Sequence, residues 1–440
     1  MDISIEERRV LTELYNKKKA SIIEDYFHYL RFKSISAQSE YKDDLFGCAH
    51  WLAKYLKERG FTVEVWESDC PPVIYAHWLK APADKSGNKA KTVLFYNHYD
   101  VQPVDPLELW DSPPFEPTLK GDLVYARGAQ DNKGQSIYVL SALIALLERD
   151  GSLPLNVKIC LEGEEENGSY GLTKLLPKHG KDLAADYIVV ADVGIKNEHS
   201  PGVNLGLRGM VALTVDCFGA NTDLHSGTHG GVAYNPNRAI AELVGGMYDA
   251  NGKVTIPGFY DKVVSLNQQD RDKFAFDFDT AYYSSLFGIP PTGGEKNFTP
   301  LECAWTRPTL EINGIHGGYA GAGMKTVIPA HAFAKISCRL VPDQDPVEIG
   351  ELIKEYILSK VPTGVKFEVT IHPGGGKPVR SSFDSPIVKA AAQAYSEVFQ
   401  KPCEFLLDGA SIPIVSELVH YTGGEVVLLG YGLVSDQIHA

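Results

Sequence analysis

The sequence lacks paired cysteines: seven Cys (48, 70, 160, 217, 303, 338, 403) are scattered over 440 residues with no C-x-x-C spacing. An odd, dispersed set excludes a disulfide framework or a thiolate zinc finger and points to reduced, structural thiols. No basic run is longer than Lys17-Lys18-Lys19, and 42 Lys+Arg stand against 56 Asp+Glu, a formal charge of −14. Nucleic acid and anionic membrane surfaces are therefore not expected partners. The longest nearly apolar run, Ile137–Leu147, contains Ser141 and falls far short of the ~20 residues that cross a bilayer. The start, MDISIEERRV, places acidic residues where a signal peptide has basic ones, so a cytoplasmic protein is expected. Internal repeats and low-complexity tracts are also missing.

What is present is a folded, multi-domain composition: 44% hydrophobic and 22% charged residues over a length that suits two or three domains. Helical periodicity runs from Ile5 to Phe32 and again from Asp43 to Arg59, where Gly60 stops it. Short apolar runs at Thr62–Trp66, Thr92–Tyr96, Asn156–Leu161 and Tyr187–Ala191 then alternate with helical segments such as Gln135–Arg149. That alternation predicts an α/β sheet with parallel strands. After about Asn204, Val211–Phe218 and Ala332–Leu340 alternate like antiparallel strands, with helices predicted around Pro236–Tyr248 and Asp345–Leu358. Residues 252–300 show little period and are expected to hold a long loop and one helix. A helix at Ile387–Phe399, a loop at Asp408–Pro413 and the apolar run Val426–Leu429 are expected to return to the first sheet. One domain is thus interrupted by another.

Polar residues of chemical interest sit just past the strand ends, where ligands bind in open α/β sheets. His98 and Asp100 share one side of an extended chain, and a metal-bound imidazole commonly needs such a carboxylate to fix its ring; an ordinary polar loop is the alternative. Asp131, in Arg-Gly-Ala-Gln-Asp-Asn-Lys-Gly, is either a functional carboxylate or the N-cap of the helix that follows. Glu164-Glu165-Glu166 is either a solvated acidic loop or a cluster whose mutual repulsion cations offset. Asp192 ends the strand YIVVA, and His439 follows a Gly-rich turn. Taken together, two imidazoles and three carboxylates suit zinc or manganese rather than thiolate-loving metals. Charge balance favours two ions: two divalent cations, three carboxylates and one bridging hydroxide sum to neutrality.

The motifs His98-Tyr-Asp100-Val-Gln-Pro, Trp110-Asp-Ser-Pro-Pro-Phe115, Arg127-Gly-Ala-Gln-Asp131-Asn-Lys-Gly134, Glu162-Gly-Glu-Glu165-Glu166-Asn-Gly-Ser169 and Asp223-Leu-His225-Ser-Gly227 occur in this order. Through them the chain resembles, over nearly its whole length, the co-catalytic metallopeptidases that include carnosinase-type dipeptidases, glutamate carboxypeptidase and aminoacylase. The resemblance implies an α/β fold: a zinc-peptidase-like catalytic domain with a mixed, mostly parallel sheet and flanking helices, formed by residues 1–206 and 384–440. A smaller α+β lid and dimerisation domain would span 207–383. It implies two divalent ions per subunit, zinc or manganese, with His98 and Asp192 on one, Glu166 and His439 on the other, and Asp131 bridging. Asp100 would orient His98, Glu165 would act as general base, and the Asp131–Asn132 peptide would be cis. His225 would reach into the other subunit of a homodimer to stabilise the oxyanion. Arg339, in Cys-Arg-Leu-Val-Pro, would pair with a substrate carboxylate. Asp408, in Leu-Asp-Gly-Ala-Ser411-Ile-Pro, is expected to receive a substrate ammonium, with Ser411 beside it as a further substrate-binding residue.

Three departures from the family pattern stand out. Asn132 replaces a second Asp, with little consequence expected because it is not a ligand. Asp192 stands where others have Glu, which looks more like the dipeptidase and aminopeptidase branches. The chain ends at Ala440, one residue past His439, where relatives continue with a Pro-Asn-Glu segment and a helix; truncation or an unusual terminus is expected. The implied activity is hydrolysis of dipeptides or short peptides. The rivals are hydrolysis of N-acyl or N-carbamoyl amino acids by the same machinery, and a catalytically silent binding protein.

Overall fold

The strand and helix periodicities resolve, in a computed structural model that describes residues 5–83 and 86–439, into two compact units. Met1–Ser4, part of the start read above for a leader, and the terminal Ala440 lie outside the described residues, as do Asp84 and Lys85. The first unit takes residues up to 205 together with 381–406 and 414 onward; the second takes 206–380 and 407–413.

In the first unit the sheet order is Thr62–Trp66, Val73–Trp78, Asn156–Glu162, Thr92–His98, Tyr187–Ala191, Glu425–Leu429, Gly202–Leu207. The four strands from Asn156–Glu162 to Glu425–Leu429 are mutually parallel. Strands at both margins pair antiparallel, which needs no crossover helix. Every residue of Asn156–Glu162 is buried, as expected of a strand covered on both faces. The helices Lys42–Glu58 and Lys133–Asp150 supply much of that cover, with Leu52, Leu56, Leu140 and Ile144 packed against Ile74, Ile159 and Leu161. Because the central strands run the same way, His98, Glu162 and the residue after Ala191 all emerge at one edge.

In the second unit a four-stranded antiparallel sheet runs Thr309–Gly317, His331–Leu340, Gly209–Phe218, Lys366–Ile371. Burial alternates strictly along Gly209–Phe218, so one face carries the core. Helices Pro236–Gly245 and Pro346–Ser359 cover it through Ile240, Leu243, Ile353 and Ile357. Each helix starts on an Asn or Asp cap followed by Pro, the usual arrangement for a sharp helix start. Residues 252–300 hold two short helices, Gln268–Arg271 and Thr280–Phe287, rather than one. Each is launched by an Asn or Asp cap and is too short to show a period. Among the described residues no helix is long and apolar enough to cross a membrane, and all seven cysteines are free thiols.

Candidate metal centre

Three loops and a chain terminus meet at the carboxyl edge of the central strands. His98 is fully buried; its Nε2 lies 3.2 Å from Asp131 Oδ1, 3.7 Å from Asp192 Oδ2 and 3.9 Å from Glu165 Oε2. The other oxygen of Asp131, Oδ2, lies 3.0 Å from His439 Nε2, which is 3.7 Å from Glu166 Oε2. Two clusters result, His98–Asp131–Asp192 and Asp131–Glu166–His439, each with donor atoms within 4.8 Å of one another. Asp131 belongs to both and turns one oxygen towards each imidazole.

The local chain explains this convergence. Asp131 is not the helix cap: helix Lys133–Asp150 begins after Asn132, whose side chain makes no capping bond, so the Asp131 carboxylate is left for the imidazoles. Gly134 lets the loop fold back on the helix start, since a Cβ there would sit 1.9 Å from Ala129 O. The Asp131–Asn132 peptide is cis.

Asp100 anchors the opposite side. Fully buried, its carboxylate accepts from Ser36 Oγ (2.6 Å) and from the backbone N–H groups of Glu165 and Glu166 (both 3.1 Å). His98 Nδ1 lies 3.1 Å from its carbonyl and 3.3 Å from Oδ1. One carboxylate therefore orients an imidazole and fixes the backbone of two glutamates, which is how outer partners tune a metal site.

Four further residues complete this outer layer without having been picked out in the sequence. Gln102 donates to Glu166 Oε2 at 2.7 Å; it lies in the motif of His98 and Asp100, two residues past Asp100 on the same side of an extended chain. Arg127 donates through Nη1 to Ile438 O at 2.5 Å and through Nη2 to Pro103 O at 3.0 Å, tying the segment of His439 to the loop after His98. Ser36 and Asn97 had no signal, because their partners are distant in sequence.

Asn132, where little consequence was expected, sits in a closed hydrogen-bond network. Its amide donates to Asp192 Oδ1 at 2.5 Å and to Ala191 O at 2.8 Å. Its oxygen accepts from Asn97 Nδ2 at 2.6 Å and from His98 N at 3.3 Å. Its side chain thus holds the segments of the candidate ligands His98 and Asp192 together.

Burial and crowded carboxylates set the electrostatics of the cluster. Burial pushes the Asp192 carboxyl up to about 6 and, with the charge of Asp131, the Glu166 carboxyl up to about 7. Glu165 rises well above the ordinary glutamate range, chiefly through burial, although His98 opposes the rise. Burial disfavours a charged His98, yet Asp192, Asp100 and Asp131 hold its pKa well above the usual imidazole value. Burial would raise Asp131 too, but the two imidazoles bring it down. His98 Nε2 and Glu166 Oε1 are buried without a hydrogen-bond partner among the described residues. Orphaned donor atoms aimed into a nest of carboxylates fit divalent cations.

The remaining candidates belong to the second unit. His225 is exposed, with Nδ1 accepting from Gly227 N at 3.0 Å. Arg339 is half-buried on the sheet face opposite the helices, between Cys338 and Leu340, which point into the core. Asp408 caps its own loop, accepting from Ala410 N at 2.8 Å, and its charge favours those of Arg208 and Arg339. Ser411 Oγ donates to Gly209 O at 3.1 Å.

A mixed sheet that gathers two imidazole–carboxylate clusters around one shared aspartate at its carboxyl edge has the form of a metal-dependent hydrolase. The chain belongs to peptidase family M20/M25/M40, which matches residues 94–440. It is 30% identical to the Cys-Gly metallodipeptidase DUG1 of Candida albicans, over 98% of this chain and 92% of that protein. It is 32% identical to the human Beta-Ala-His dipeptidase, over 84% and 73%. The solved M20 family metallo-carboxypeptidase of Sulfolobus solfataricus superposes with a TM-score of 0.83 at 32% identity, covering 93% of this chain and 92% of that one.

Proposed function

We propose that the protein is a dipeptidase that hydrolyses the amide bond of dipeptides or short peptides at a two-metal centre. The observation that carries this reading is the division of the Asp131 oxygens between two imidazoles, with Glu165 at the edge of the same cluster. Relatives named for Cys-Gly and Beta-Ala-His dipeptide hydrolysis support it. His98, Asp131 and Asp192 would hold one divalent ion, and Asp131, Glu166 and His439 the other; nitrogen and oxygen donors of this kind take zinc or manganese. Such ions, when bound, lower the pKa of a shared water and polarise the substrate carbonyl.

The chain's own groups do the rest. Glu165 takes the proton of the attacking water and returns it to the leaving nitrogen as the C–N bond breaks, giving one carboxylate and one amine. Asp100 keeps that base in place by holding its backbone N–H. Arg339 offers a planar fork to the substrate carboxylate, and Ser411 lies in the loop beside it. The second unit serves as lid and dimerisation domain, its exposed His225 supplying the oxyanion donor to the partner copy of a homodimer. Seven free thiols suit a reducing, cytoplasmic setting.

The test is amine release from matched free dipeptides and N-acyl amino acids, with zinc or manganese added, for the wild type and Glu165→Ala. Dipeptide turnover that the variant loses is the expected result. Turnover of N-acyl amino acids alone would make the protein an acylase, and a metal-loaded protein inert on both would make it a silent fold.

A further inference from the structure

The second unit contains an arginine that the motifs do not absorb. Arg208 ends the run Gly-Leu-Arg before strand Gly209–Phe218 and is half-buried. Its Nε donates to Gly409 O at 2.8 Å, while Nη1 reaches Arg307 O at 3.3 Å and Thr309 Oγ1 at 3.4 Å. Its backbone N–H donates to Ala410 O at 3.0 Å, and the next residue, Gly209, accepts from Ser411 Oγ at 3.1 Å. Some two hundred positions separate Arg208 and Gly209 from Gly409 and Ser411 in sequence, so within the second unit this pair holds the segment Asp408–Ser411 in place. Thr309, which shares the Arg208 guanidinium, pairs in register with Arg339.

The loop leaves no slack. A Cβ on Gly409 would stand 2.9 Å from Ala304 O and 3.2 Å from Arg208 Nη2, so the loop backbone lies flat between the two. A guanidinium suits this place because its fixed fork can bond acceptors on two sides at once, which a lysine ammonium on a flexible stem does not reproduce. Arg208 bonds Thr309, the register partner of Arg339, and the charge of Arg339 disfavours that of Arg208 while Asp408 favours both. That costs energy unless an anion shares the place.

We infer that Arg208 is a positioning residue for substrate, latching the Asp408–Ser411 loop beside Arg339 so that loop and guanidinium together receive the substrate's carboxylate end. The inference rests on the dipeptidase reading, in which Arg339 binds that carboxylate. Arg208 itself touches no reacting atom.

The experiment compares Arg208→Lys, Gly409→Ala and Arg339→Ala with the wild type on one free dipeptide, reading KM, kcat, bound metal and melting temperature. Arg208→Lys keeps the charge and loses the fork; Gly409→Ala displaces the loop and leaves Arg208 intact. Both should raise KM by about tenfold with kcat within about twofold, as for lost ground-state and transition-state binding alike, and with metal content unchanged. Wild-type KM in either variant, or a fall in kcat accompanied by metal loss, would overturn the latch. Should Arg208→Lys not fold, Gly409→Ala decides in the same way. Arg339→Ala separates the two levels: if it leaves KM unchanged, the carboxylate assignment fails, whereas a rise in KM there alone removes only the role of Arg208.

Discussion

Asn132 shows how much a non-ligand can decide. All four of its hydrogen-bond positions are met, two as donor to Asp192 and Ala191 and two as acceptor from Asn97 and His98. A carboxylate at 132 would turn an unprotonated oxygen towards Asp192 and have nothing to donate. Asn132→Ala should therefore free the Asp192 carboxylate and weaken cation binding by about 10–100-fold, the usual cost of losing such an outer partner. Bound metal measured against graded chelator would reveal this, and unchanged retention would mean that Asp192 is held without the amide. Protons compete for the same atoms. Burial pushes Glu166 up to about 7 and Asp192 up to about 6, so both begin to carry protons as pH falls through those values, and ligation requires them ionised. Cation affinity should drop between pH 8 and pH 6, with protons released on binding near pH 6.5. Calorimetry in two buffers of different ionisation heat measures that release; equal heats and a flat affinity would contradict it. Three of the candidate ligands, His98, Asp131 and Glu166, were legible in sequence because they lie in recognisable motifs, and Asp192 because it ends an apolar strand. Asn132 was not, since its partners Asn97 and Asp192 lie 35 and 60 residues away.

Elements bring these residues together through what happens at their ends. The strand Thr92–His98 delivers His98, Tyr187–Ala191 delivers Asp192, and helix Lys133–Asp150 starts directly after the Asp131 loop. Gly134, in the first turn of that helix, permits the start, because any Cβ would overlap Ala129 O. Gly134→Ala should force the loop away from the helix, destabilise the protein by about 1–3 kcal/mol as overpacked sites do, and lower metal occupancy together with stability. Urea unfolding with metal analysis on the same samples checks both, and a stable variant with full occupancy would show that the loop relaxes freely. Period and punctuation revealed most of this layer. Strict alternation exposed Gly209–Phe218, and apolar runs exposed Thr92–His98 and Asn156–Glu162. Val73–Trp78, which carries aromatics and a histidine within a nearly all-buried strand, gave no period. The helices Gln268–Arg271 and Thr280–Phe287 are held by their caps and bury no residue, so no apolar stripe announced them.

At the scale of the whole molecule the candidate residues are divided between the two units. All five candidate ligands and Glu165 belong to the first unit, whereas His225, Arg339 and Asp408 belong to the second. His225 is exposed on its own unit, its ring engaged only with Gly227 among the described contacts. If it serves the partner copy, two different dead variants should rescue each other. His225→Ala keeps its own base and lacks the oxyanion donor; Glu165→Gln keeps the donor and lacks the base. In a mixed dimer the site built on the His225→Ala subunit then receives an intact His225 from its neighbour and works, while the other site lacks both groups. One of the two sites in each mixed dimer is then complete, so the isolated mixed species of a symmetric dimer should regain about half of wild-type activity. Action within one chain predicts no return at all, because neither subunit then holds both groups. Co-expression of the two variants with distinct tags, isolation of the mixed species and its assay on a free dipeptide decide between these outcomes, and light scattering on the wild type must find a dimer for the first to hold.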